Sequence, residues 1–101
     1  MQVIVQAKSL KVTRALQNFI ERHTQKIAKV DRRVQAVRVY LEQSTKKSSK
    51  NKDVMVKLRL EIPGQDIWLE VAGYDFYDAI VDAVNAASRK LRQNKEKNSH
   101  S

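Results

Sequence analysis

The chain has 101 residues, with 20 lysines and arginines against 11 aspartates and glutamates, a formal net charge of +9 and no cysteine. This length predicts one domain over residues 1–97 with a disordered tail at 98–101. The missing cysteines exclude a disulfide framework and thiolate chemistry and suit the cytoplasm, and Val3-Ile4-Val5 is too short an apolar run for a signal peptide or a membrane span.

A cationic surplus of this size in a small domain points to a polyanion, nucleic acid ahead of an acidic membrane. Residues 1–7 alternate as a strand, with Val3, Val5 and Ala7 on one face and Gln2, Ile4 and Gln6 on the other. Lys8 to Val12 is a connector. Thr13 is the N-cap of a helix reaching about Val30, with Leu16, Phe19, Ile20, Ile27 and Val30 as its apolar stripe. Arg22, Lys26, Lys29 and Arg33 fall in a narrow arc along one flank of that stripe. Gln17, Glu21, Thr24, Gln25, Ala28 and Asp31 make the other flank. A solvated helix face ordinarily interleaves both signs, so the one-sided stripe favours a bound polyanion. His23 lies in the apolar arc and reads as a partly buried, hydrogen-bonded core residue rather than a ligand.

Val34 to Glu42 is the second strand, with Val37, Val39 and Leu41 inward and Arg38, Tyr40 and Glu42 outward. Gln43 to Asp53, with Lys46, Lys47, Lys50 and Lys52, is a polar loop. Val54 to Ile62 alternates as the third strand. Pro63-Gly64 marks a hairpin turn, and Ile67, Leu69 and Val71 point inward from the fourth strand. Tyr74 to Lys97 is a long helix capped by Asp75, with Asp78 and Asp82 near its positive pole. Its stripe is Tyr77, Ile80, Val84, Ala87 and Leu91. Past Leu91 no apolar residue follows, while Arg89, Lys90, Arg92, Lys95 and Lys97 crowd the last turns. At 1.5 Å per residue the helix is roughly 33 Å long. Strands of about 6 to 8 residues span only about 20 to 27 Å. The cationic end therefore overhangs the sheet.

The order β-α-β-β-β-α predicts an α+β fold: a four-stranded mixed sheet with two helices packed on one face. Strands two to four form an antiparallel meander, and the helical crossover makes strands one and two parallel neighbours. The other face stays wet and carries Arg38, Tyr40, Met55, Lys57, Arg59 and Trp68. Enzyme signatures are missing. The only histidines, His23 and His100, have no spaced cysteine or carboxylate partners for a zinc site. With only Gly64 and Gly73 there is no phosphate-cradling glycine loop. No catalytic residue, cofactor, metal or small-molecule substrate is expected.

Val12-Thr13-Arg14-Ala15-Leu16 opening the first helix and Asp75-Phe76-Tyr77-Asp78-Ala79-Ile80 opening the second, followed by Arg89, Leu91 and Lys95, resemble the ribosome hibernation promoting factor family over nearly the whole chain. The resemblance implies a fold similar to double-stranded RNA-binding domains. It also implies binding to the 30S subunit over the decoding region, where basic side chains of both helices meet 16S rRNA and displace mRNA and tRNA. Carried over, it picks out Lys26, Arg89 and Lys95. The charge pattern itself adds Arg22, Lys29, Arg33, Lys90, Arg92 and Lys97. His23 and Ala86 stand where the family pattern has lysine, and Val30-Asp31 replaces an aromatic pair. The resemblance is to the short form, which favours paired, inactive ribosomes with help from a second dimerising factor. The alternatives are a general double-stranded RNA-binding module and a protein-interaction domain using the exposed sheet face. Each calls for its own test: a plain RNA duplex for the first, replacement of Tyr40 and Trp68 for the second.

Overall fold

The computed structural model describes residues 1–44 and 53–99, with side chains through residue 95. Six elements follow in the predicted order: β1 (Gln2–Lys8), α1 (Arg14–Val30), β2 (Ala36–Gln43), β3 (Val54–Glu61), β4 (Ile67–Gly73) and α2 (Phe76–Ser99). The strands lie side by side in chain order. β1 and β2 are parallel with Val3 beside Val37 and Val5 beside Val39. The remaining pairs are antiparallel. Because residues two apart share a face, this register gathers Val37, Val39 and Leu41 with Val56, Leu58 and Leu60 into one apolar surface. Leu16, Ile20 and Ile27 of α1 and Ile80, Val84 and Leu91 of α2 pack onto it as one core. Both helices thus cover the same side of the sheet.

Local chemistry sets the boundaries. The Thr13 hydroxyl accepts from Leu16 N at 3.2 Å and opens α1. Asp31 closes it: its N–H donates to Ile27 O, and its carboxylate accepts from Arg33 N at 3.0 Å, turning the chain toward β2. That turn delays the second strand to Ala36, two residues after its predicted start. At the β3–β4 hairpin, Gln65 N donates to Ile62 O, with Pro63 first and Gly64 second of the two central residues. Gly64 has φ +86°, which a type II turn demands at that position. Asp75 caps α2 by accepting from Asp78 N at 2.9 Å. This bond holds its carboxyl below the usual range, while the Asp75 carboxylate pushes Asp78 up.

Four expectations need correction. The buried face of α1 is turned toward the flank opposite the cations, outside the predicted apolar stripe: Thr24 and Asp31 are each only 1% exposed. The Thr24 hydroxyl is satisfied by donating to Ile20 O at 2.7 Å. Tyr77 is 43% exposed and meets Phe19 edge to face at the helix seam, whereas Ala79 and Ala83 are fully buried on α2. Helix α2 carries Asn98 and Ser99, two residues beyond its predicted end. His23 is half-buried, but its Nδ1 is buried without a hydrogen-bond partner among the described residues. The ring instead lies 4.1 Å from Phe19. The lysine-rich stretch with Lys46, Lys47, Lys50 and Lys52 lies outside the described residues.

Candidate nucleic-acid interface

The two helices meet along a seam, and a groove runs over its solvent side. Lys26, Lys29 and Val30 of α1 and Asn85, Ser88, Arg89 and Arg92 of α2 line it. The spacing accounts for this. Lys26 and Lys29 are three apart on α1, and Asn85, Ser88, Arg89 and Arg92 recur at three and four on α2, so each set forms one row. All four cations are exposed, and none forms an ion pair among the described residues. Arg22 stands one turn before Lys26, exposed, with its guanidinium 6.0 Å from the Phe19 ring. Near this row the His23 pKa is lowered, first by burial and then by Lys26 and Arg22, so the neutral ring is favoured.

The other predicted cations lie elsewhere. Arg33 is engaged with Asp31: Nη2 reaches Oδ2 at 2.8 Å and Nε reaches Oδ1 at 3.1 Å. This bonding holds the buried Asp31 carboxyl below its usual range against the opposing effect of burial. Lys95 Nζ donates to Val30 O at 2.9 Å. Leu91 is the last buried residue of α2 among the described residues, and Lys95 one turn later reaches across to the C-terminal end of α1. There it satisfies an orphan carbonyl and sets a cation at the negative pole. Lys90 points to the other side of α2, donating to Trp68 O on β4 at 2.9 Å. The side chain of Lys97 lies outside the described residues.

The structure therefore brings Lys26, Lys29, Arg89 and Arg92 into one groove, with Arg22 at its approach. It assigns Arg33 and Lys95 to the knot at the end of α1, and Lys90 to the sheet edge. Asn85 and Ser88, whose polar groups line the groove between the cations, escaped the charge-based reading. Their place in the row of Arg89 and Arg92 is the signal that finds them. Across the molecule the wet sheet face carries Arg38, Tyr40, Met55, Lys57, Arg59 and Trp68 as expected. Among the described residues no group of three or more His, Cys, Asp or Glu could hold a metal ion, and no helix is long and apolar enough to cross a membrane.

No curated protein matches the chain. Among solved structures, a ribosomal subunit interface protein from Coxiella burnetii superposes with a TM-score of 0.83 at 14% identity, covering 95% of this chain and 99% of that one. The N-terminal domain of Thermus thermophilus Protein Y superposes with a TM-score of 0.75 at 18% identity, covering 92% and 98%. At these identities the likeness is one of fold. Residues 3–99 match the sigma 54 modulation protein / S30EA ribosomal protein family. With nearly its whole length matched, the chain belongs to that family, a family of ribosome-associated modulation factors.

Proposed function

We propose that the protein binds the small ribosomal subunit by laying the α1–α2 groove on phosphates of 16S rRNA in the decoding region, and that it inhibits translation by excluding mRNA and tRNA from that space. The observation that carries this reading is the groove itself: Lys26, Lys29, Arg89 and Arg92 face one cleft with no ion pair among the described residues. Cations held so close repel one another and gain most from a ligand that brings its own negative charge. Folded RNA does so and releases its condensed counterions on contact. The row is fixed on two helices that share one core, so its spacing is rigid, which suits recognition by RNA shape rather than base sequence. Family membership and the fold shared with a ribosomal subunit interface protein support the ribosome as the source of that RNA. Idle ribosomes would then pair with the help of a second dimerising factor.

The test is co-sedimentation with 30S subunits of the wild type and of a Lys26→Glu/Arg89→Glu/Arg92→Glu variant, together with a translation assay. The variant is expected to lose association and inhibition while keeping its circular dichroism spectrum. Undiminished association would refute the proposal. Equal affinity for a plain RNA duplex and for 30S subunits would mark a general duplex binder instead.

A further inference from the structure

We propose that the solvent-facing side of the sheet is a second docking surface, taking a protein segment that inserts an aromatic or aliphatic side chain beside Trp68. This surface faces away from the helices, so the inference does not depend on what the groove binds.

Trp68 stands on the edge strand β4 and is 48% exposed. Tyr40 of β2 leans toward it across β3, its ring within 10° of parallel at a centroid distance of 6.3 Å. The Arg59 guanidinium lies 5.2 Å from the Trp68 ring and is anchored by Asp66 at 2.6 and 2.9 Å. Tyr40 and Trp68 border a shallow cavity of about 840 Å³ whose lining includes Gln6, Met55, Lys57 and Glu70. A stacked arginine held by a carboxylate leaves Trp68 already oriented, which lowers the entropy that docking would otherwise cost.

Charge decides the kind of partner. Arg38 is bonded to Glu61 at 2.7 Å, Arg59 to Asp66, and Lys8 faces Glu42 at 4.0 Å. Lys57 stands opposite Glu70 in the strand register. The face is thus balanced in a chain of net charge +9. Platforms for single-stranded nucleic acid combine aromatic rings with a cationic track for the backbone, and here each cation has a carboxylate at hand. Trp, Tyr, Met and Arg framed by charges of both signs are the composition of a protein-interface centre, where a few buried aromatic anchors carry most of the affinity.

The experiment selects a phage-displayed random peptide library on the full chain and measures a fluorescent single-stranded RNA oligomer in parallel. Peptides with an aromatic or aliphatic anchor are expected. Their affinity should fall roughly tenfold or more in Trp68→Ala, as for an interface hot spot. It should change little in Lys26→Glu/Arg89→Glu/Arg92→Glu or on raising the salt. Trp68 is exposed, so its truncation spares the core, and Tyr40→Ala with a matching circular dichroism spectrum provides the second variant. The proposal is overturned if every selected peptide binds Trp68→Ala as well as wild type. It is equally overturned if the RNA oligomer, and no peptide, depends on Trp68.

Discussion

Neutralising three groove cations gives a prediction whose size follows from counterion release. Each phosphate neutralised on a duplex contributes about 0.9 to the slope of log affinity against log salt. Near 0.1 M salt one lost contact therefore costs roughly eightfold, and three cost roughly 500-fold. Near 0.5 M the same three contacts cost less than about tenfold, because released counterions gain little entropy in a concentrated salt. Lys26→Gln/Arg89→Gln/Arg92→Gln should thus bind 30S subunits far more weakly than wild type at low salt and approach it at high salt, with the slope reduced by about 2.7. All three side chains are exposed and without an ion pair among the described residues, so the substitutions leave the core untouched. Filter binding or co-sedimentation across a salt series reads both quantities. Parallel salt plots for wild type and variant would show that these residues meet no phosphate, whatever the absolute affinities.

Asp31 is buried and accepts three bonds from Arg33. Asp31→Ala should lower stability by about 1–3 kcal/mol at neutral pH, as for loss of a charged hydrogen-bond partner. Its pKa is depressed in the fold, so this stabilisation is present above the unfolded value near 3.9 and fades as pH falls through the lower folded value. Urea melts at pH 7 and in the acid range check both the loss and its disappearance. For His23 the folded pKa is also lowered, which means that protonation favours the unfolded chain. Wild-type stability should decline as pH drops through about 6.5, and His23→Leu should flatten that part of the profile. A Cβ added at Gly73 would sit 2.9 Å from the Ala79 Cβ, where β4 hands the chain to α2. Gly73→Ala should cost about 1–3 kcal/mol by overpacking, read as a lowered Tm. Arg22–Lys26, Lys26–Lys29 and Arg89–Arg92 are like-charge pairs at helical spacing, each destabilising by about 0.2–0.5 kcal/mol. Raising the salt from about 20 mM to 0.5 M should therefore raise Tm by roughly 2–12 °C while weakening RNA binding, and a falling Tm would contradict the claim that the groove is crowded.

The strands were legible because alternation is a strong signal. Val54 to Glu61 alternates without a break, and its odd and even residues go to the faces predicted for them. The helices were legible in extent but less so in rotation. A wheel weighted by hydropathy cannot know that Thr24 will spend its hydroxyl on Ile20 O, or that Asp31 will be neutralised by Arg33. Both polar groups are satisfied from within their own segment and so pass into the core. Alanine misleads in the opposite sense: Ala79 and Ala83 bury little area, but their small size lets α2 approach the sheet closely. For the cations, the helical arc was readable and the destination was not. Lys90 and Arg89 are neighbours in sequence and 100° apart on the helix, which sends one to the Trp68 carbonyl and leaves the other in the groove. Lys95 finds Val30 O only because α2 passes the end of α1, a tertiary accident invisible to a single-helix pattern.

The distribution of charge ties these pieces together. On the wet face Lys8, Arg38, Lys57 and Arg59 are matched by Glu42, Glu61, Glu70 and Asp66, so the nine surplus positive charges lie elsewhere in the chain. Spread evenly, such a surplus would keep the protein soluble and repel like molecules without selecting any partner. Two devices concentrate part of it instead. The apolar stripe of α1 is flanked by cations on one side only, and on α2 Arg89 and Arg92 line the groove on either side of the buried Leu91 in sequence. The first Asp31–Arg33 turn and the Lys95 bridge then fasten the end of one helix to the other. A row of charges that must fit a folded RNA needs that fixed spacing, whereas a merely solubilising surface does not. The knot at the end of α1 is therefore best understood as the support of the groove: loosening it should blur the spacing of the cations before it removes any of them.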